Sequence, residues 1–285
     1  MLKKVDVSNE LALYVYFTKI GPQIPFYFPV DYDLWYKCMF NDTTEDRLPL
    51  FDELETFLYY ENGILEGFIQ YGISSFVFTD NGKDFNNHYA IIRNIHYSKN
   101  CKNSEEMLEL ALKYFENRNI REINAFFHYF GMSCYARHGK LHYSAFFIEE
   151  LLKKYSFNKE HENVYFSKNL DKEKYYYDPE ILFEINENGN KSKIIFFNNN
   201  VRIGYCELAI LQNNIGYLYY IKILKEYRHK GWGTKCMNII FHVLKNKRIV
   251  KLDLDTIDSN IIAQKFYEKI GFKNKGITRS YYKGA

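Results

Sequence analysis

The stretch that most limits how this chain can fold covers residues 217–244: a strand-like aromatic segment, a basic glycine turn, then a helix-like segment. The turn reads Arg228-His229-Lys230-Gly231-Trp232-Gly233-Thr234. The first amides of a helix have no internal partner and lie at the positive end of its dipole, so they can donate to an anion. Glycine removes the Cβ that would hold a phosphate off the backbone. Trp232, Cys236, Ile239, Ile240, Val243 and Leu244 recur with the helical period, and Lys245, Lys247 and Arg248 suit a helix C-terminus. A strand over 249–256 follows, in which Leu252 and Leu254 alternate with Asp253 and Asp255. The spacing then predicts a helix over 260–270, capped by Asp258 or Ser259 and ended by Gly271. Upstream, 192–198 and 201–211 read as paired strands around an Asn-rich turn. Strand, helix, strand, helix requires a crossover within a mixed sheet, so this half is α/β.

The first half echoes that order, as a diverged repeat would. Strands are expected over 57–60, 66–79 and 90–97, with a turn at Asn81-Gly82. Ser104 can begin a helix carrying Met107, Leu108, Ala111, Tyr114 and Phe115; a further helix near 145–154 precedes a strand at 163–167. The turn ahead of its first helix, residues 98–103, holds no glycine, so close approach to a pyrophosphate is less plausible there. The charged segment 169–177, followed by Asp178-Pro179, marks the expected boundary between domains at 1–170 and 171–285.

Composition narrows the function. The net charge of +3, from 38 basic and 35 acidic residues, does not suit a dedicated nucleic-acid binder. Five scattered cysteines without a CxxC pair argue against a zinc ribbon or disulfide framework. No apolar stretch approaches the length of a membrane span, so a soluble cytoplasmic protein is expected, without membrane partners. His138 and His142 have the spacing of helical metal ligands. Gly139 and the lack of an intervening Glu make a surface turn the better reading, and no metal is expected.

A second pattern joins the phosphate turn. Asn260, Ala263 and Tyr267 share a helix face at spacings of three and four, ahead of Gly271-Phe272. Arg228-x-x-Gly231-x-Gly233 together with Asn260-x-x-Ala263-x-x-x-Tyr267-x-x-x-Gly271-Phe272 resembles the two cofactor motifs of the GNAT superfamily of N-acetyltransferases. The resemblance covers about residues 194–275. It is looser over the first half, which looks like a degenerate second copy, so the chain resembles a tandem GNAT protein with two twisted mixed sheets flanked by helices.

The resemblance implies acetyl-CoA as co-substrate and a small-molecule or peptide amine as acceptor. Ile221 and Ile223 would pair their backbone with the pantetheine arm. Amides from His229, Lys230, Gly231, Trp232, Gly233 and Thr234 would take the pyrophosphate, with charge from Arg228 and Lys230. Asn260 would bond the pantetheine along the wall formed by Ala263, and Tyr267 would protonate the departing thiolate. The chain departs from the pattern at Lys225, where Pro is frequent, and at Trp232, where a small aliphatic residue is usual.

An amine nucleophile must lose a proton first, and Glu207, Tyr217, Tyr219 and Asp255 are candidate bases, Glu207 foremost. The short stretch 175–190 leaves no room for two acceptor-binding helices. The first half is therefore expected to supply part of the acceptor wall, and cofactor binding to survive removal of residues through Leu170. A CoA-binding sensor without turnover and a transferase of larger acyl or aminoacyl groups stay open, as do the acceptor and the oligomeric state.

Overall fold

The computed structural model describes residues 1–79, 82–99, 101–171 and 175–284, with Pro22 described by its backbone alone. Asn81 of the expected hairpin turn, Asn100 of the first-half turn and residues 172–174 of the boundary segment lie outside the described residues. In chain order the elements are β1 (Leu2–Lys4), α1 (Glu10–Ile20), α2 (Tyr32–Phe40), β2 (Phe51–Glu61), β3 (Ile64–Ser74), β4 (Val77–Thr79), β5 (Gly82–Asp84), β6 (Ala90–Tyr97), α3 (Glu105–Glu116), β7 (Ile123–Ala125), β8 (Leu141–His142), α4 (Phe146–Lys154) and β9 (Asn158–Asn169). There follow β10 (Ile181–Asn188), β11 (Lys191–Asn198), β12 (Val201–Leu211), β13 (Ile215–Ile223), α5 (Trp232–Asn246), β14 (Lys251–Ile257), α6 (Ile261–Lys269) and β15 (Lys273–Lys283). The class is mixed α/β, with helices flanking mixed sheets.

The chain divides into two compact units: Met1–Glu162 with Thr278–Ala285, and Asn163–Ile277. Both β9 and β15 cross this division. Residues 163–169 of β9 pair with β14 in the second unit, whereas residues 278–283 of β15 pair with β7 and β8 in the first. Each unit is thus closed by a strand whose chain started in the other.

The second unit runs β10-β11-β12-β13-β14-β9, with only β13 and β14 parallel. Asn199 and Asn200 both take positive φ (49° and 61°), the conformation the β11–β12 hairpin turn demands and Asn tolerates. The buried stripe of α5 (Cys236, Ile239, Ile240, Val243, Leu244) packs with Cys206, Leu252, Leu254 and, from β9, Val164 and Phe166. Strand β10 stands where the sequence showed only a short stretch without room for helices.

The first unit runs β1-β2-β3-β6-β7 and then the end of β15, again with one parallel pair, β6 and β7. Met107, Leu108, Ala111 and Phe115 of α3 enter the core with Ile69, Tyr71, Ile92 and Ile95. Helices α1 and α2, not anticipated above, bury Leu13, Phe17 and Ile20, and Trp35, Cys38 and Met39. Arg93 lies fully buried and is held by Asp42 at 2.9 Å, by the Cys38 and Met39 carbonyls at 3.0 Å and by the Phe130 carbonyl at 2.7 Å. A buried charge is tolerable only with partners of this kind. His138 and His142 correct the expectation of a surface turn. Both are buried, and His138 stacks on Phe26 with centroids 4.0 Å apart.

Candidate active site

A register shift between β12 and β13 opens the second unit. Glu207 of β12 faces Tyr220 while Leu208 faces Leu218, so Tyr219 is an extra residue in β13. Such a bulge bends a strand and increases its twist. The parallel pairing with β14 ends at Leu218↔Leu254, and residues 220–223 continue paired with β12. The edge of β13 that β14 leaves there borders a cavity of about 660 Å³. The crevice beyond the carboxyl ends of neighbouring parallel strands is where open α/β sheets take ligands.

The cavity draws its walls from three elements: the end of β13, the turn before α5, and α6. Ile221, Ile223, Arg228, His229, Gly231, Gly233, Thr234, Asn260, Ala263 and Tyr267 all line it. Lys230 and Trp232 do not. The Lys230 ammonium donates to the Glu226 carbonyl at 3.0 Å, and Trp232 packs against the core beside Tyr227. Only their backbone amides remain as candidates for anion binding.

Gly231, at φ 82°, sits in the left-handed region as the N-cap of α5, which has no side-chain cap and no acidic residue in its first turn. A Cβ on Gly233 would meet the Phe266 ring at 3.4 Å, ordinary contact, so packing within the protein does not demand glycine there. Arg228 Nε–H donates to the Ile223 carbonyl at 2.9 Å and ties the turn to the end of β13. The charged lining residues Lys222, Arg228, Lys265 and Lys269 are all cationic; no carboxylate joins them among the described lining residues. An anion suits this surface.

Asn260, rather than Asp258 or Ser259, caps α6: its Oδ1 accepts from the Ala263 amide at 3.1 Å. The side-chain N–H₂ is then the part of Asn260 able to donate to a ligand. The helix ends as a Schellman motif. Gly271 takes φ 89°, its amide bonds to the Glu268 carbonyl, and the Phe272 amide bonds to that of Tyr267. Tyr267 is buried against Phe166, Phe266 and Phe272. Burial, with a smaller contribution from the Asp255 charge, pushes its pKa up to about 12.

The candidate bases separate. Glu207 forms an ion pair with Lys193 at 3.0 Å and does not line the cavity. Asp255 accepts from the Tyr217 hydroxyl at 2.6 Å and from Asn163. Burial, then the Asp255 charge, raises the Tyr217 pKa well above its ordinary value.

The first unit repeats the design with different chemistry. Gln70 faces Asn94 and Tyr71 faces Ile92, so Arg93 is the extra residue of β6, placed as Tyr219 is in β13. Pairing of β6 with β7 likewise stops at Ile92↔Ala125. Helix α4 ends with Ser156 at φ 66° and the Phe157 amide bonded to the Leu152 carbonyl. Leu152 therefore stands where α6 has Tyr267. Glu105 and Glu106 occupy the first turn of α3, and Glu105 binds Lys154 at 2.6 Å. These carboxylates already satisfy the dipole that a phosphate would need. They are visible in the sequence and escaped a reading that looked only for glycine.

Residues 153–272 match the Acetyltransferase (GNAT) family. The chain is 32% identical over 120 residues to the [Ribosomal protein bS18]-alanine N-acetyltransferase of Haemophilus influenzae, covering 37% of this chain and 82% of that protein. The chain belongs to the GNAT acetyltransferase family. A second relative, N-alpha-acetyltransferase 30 of Schizosaccharomyces pombe, is 37% identical over 70 residues, 24% of this chain; the match spans about half of that protein, 47%. Among solved structures, a tandem GNAT protein from the clavulanic acid biosynthesis pathway superposes with a TM-score of 0.67 at 6% identity, covering 99% of this chain and 98% of its own. That likeness carries the GNAT fold across both units. Among the described residues, no group of three or more His, Cys, Asp or Glu is arranged to hold a metal, and no helix is long and apolar enough to cross a membrane.

Proposed function

We propose that the second unit transfers an acetyl group from acetyl-CoA to a primary amine. The observation that carries this is convergence. The edge of β13 beyond its pairing with β14, the uncapped start of α5 and the Tyr267 hydroxyl group meet at one cavity whose charged lining is wholly cationic. The residues fit the donor. Backbone amides at Gly231, Trp232 and Gly233 would take the pyrophosphate, the Thr234 amide being bonded to the Gly231 carbonyl at 3.1 Å, and a Cβ on Gly231 would meet no protein atom within 4 Å. Ile221 and Ile223 would pair their backbone with the pantetheine amides as another strand would. Asn260 would donate to the same arm.

Acetyl-CoA supplies an activated thioester. The β13 edge positions it, and an amide near Ile223 polarises its carbonyl. The acceptor nitrogen forms the new C–N bond as the C–S bond breaks. Tyr267, protonated at neutral pH, gives its proton to the departing sulfur. The amine proton leaves to water, since Glu207 is engaged by Lys193 and Asp255 by Tyr217 and Asn163.

The test is thiol release with acetyl-CoA and a panel of amines. Peptide N-termini come first, because the two relatives are named for N-alpha and ribosomal-protein alanine acetylation. Release should require both substrates and should rise with pH as the amine deprotonates, without loss from Tyr267 below about pH 10. CoA binding without release toward any amine would favour a sensor. A preference for longer acyl donors would favour larger-group transfer.

A further inference from the structure

Past the Arg93 bulge the first unit keeps a cavity of its own, of about 210 Å³. It is bounded by residues 94–96 of β6, the start of α4 and the segments 17–27 and 140–148. The acidic first turn of α3 offers no phosphate cradle in this unit.

The wall is mostly apolar, with Phe17, Phe26, Phe68, Phe126 and Phe147 among its rings. The stack of His138 on Phe26, centroids 4.0 Å apart, backs one side. A buried apolar cavity of about 150 Å³ suffices to hold benzene, so this one takes a single substituted ring and no nucleotide. Lys140 is buried but already engaged within the protein, and Lys99 is exposed against the Phe146 and Phe147 rings at 5.2 and 5.9 Å. An ionised ligand would lose its hydration here without gaining a buried counter-charge, so a neutral one suits the wall.

His96 gives that wall a hydrogen-bond acceptor. The Tyr16 hydroxyl donates its one proton to the Glu66 carbonyl at 2.9 Å, so in its 3.0 Å contact with His96 Nδ1 it accepts. Nδ1 therefore carries the ring proton and Nε2 the lone pair. Neither Tyr16 nor Glu66 is among the described lining residues, so the opposite ring edge, with Nε2, faces the cavity. Nε2 has no hydrogen-bond partner among the described residues. Burial lowers the His96 pKa to about 4, which keeps the ring neutral. Gln23, Asn94 and Ser144, also on the wall, are bonded to the Lys19 carbonyl, Gln70 and His142.

We propose that the first unit binds a small neutral aromatic with one hydrogen-bond donor, a phenol in its simplest form, the ring among the phenylalanines and the donor on His96 Nε2. The proposal stands independently of the transferase reading, because it uses no residue of the second unit.

Ligand-observed NMR on the full chain tests it, with 4-methylphenol and p-xylene, which has a methyl group in place of the hydroxyl, as probes. 4-Methylphenol should saturate and bind at least as tightly as p-xylene, although p-xylene is the more apolar; a buried hydroxyl without a partner would reverse that order. In His96→Leu the ratio of the two affinities should shift at least tenfold toward p-xylene. Tyr16 keeps its bond to the Glu66 carbonyl there, so the variant leaves no donor orphaned. A large excess of CoA should leave 4-methylphenol bound. No saturation by 4-methylphenol, tighter binding of p-xylene to the unaltered protein, an unchanged ratio in His96→Leu, or displacement by CoA would each overturn the proposal. Should His96→Leu fail to fold, the order of the two probes and the CoA competition on the unaltered protein still decide.

Discussion

Tyr267→Phe should lower turnover by about 10²–10⁴-fold, the range a positioned general acid supplies, while CoA affinity stays within about twofold. The substitution removes one oxygen and keeps the ring that packs on Phe166, Phe266 and Phe272, so folding should be spared. Burial has already set the hydroxyl group's pKa near 12, which ensures the proton is present at neutral pH. A sulfur that leaves without that proton departs as a charged thiolate, a poorer leaving group than the neutral thiol. Steady-state kinetics beside calorimetric CoA binding separates the two effects. Unchanged turnover would remove Tyr267 from the chemistry.

The second large effect concerns the chain division. A fragment starting at Asp171 should neither unfold cooperatively nor bind CoA, contrary to the expectation that binding survives removal of residues through Leu170. That cut deletes the β9 strand that pairs with β14 from Asn163↔Ile257 to Asn169↔Lys251. It also removes Val164, Phe166 and Leu170 from the second unit's core. Truncating one buried Leu or Phe costs about 2–5 kcal/mol. Losing three such apolar side chains and a strand of ladder bonds approaches the whole stability of a domain, about 5–15 kcal/mol. A fragment of residues 158–277 keeps these contacts and should fold and bind. Urea unfolding of both fragments checks this, and a cooperative transition in the shorter one would contradict it.

Much of the second unit's cavity was legible because it is local. The glycine turn, the stripe of α5 and the Asn260–Tyr267 face are patterns within one or two elements, and ten of the named residues meet at one cavity. What escaped depends on pairing between distant segments. Nothing in the residues 217–223 marks Tyr219 as the extra one, because a bulge is a property of register with β12. The partnership of Glu207 with Lys193 follows from their facing positions on β12 and β11, which the residue types alone do not reveal. The crossing of β9 and β15 between units rests on ladders between segments far apart in the chain. Helix α1 was a local omission: Leu13, Phe17 and Ile20 do follow the helical spacing.

The claim that one phosphate cradle, at the start of α5, serves the chain is tested most directly by calorimetric titration of CoA into the full-length protein and into Gly233→Ala. A methyl group at Gly233 meets only ordinary contact with Phe266, so the variant should fold with undiminished thermal stability. It would also hold the pyrophosphate off the amides. One CoA per chain should bind the unaltered protein, and Gly233→Ala should weaken binding at least tenfold. Two sites per chain, or equal affinity in the variant, would contradict it.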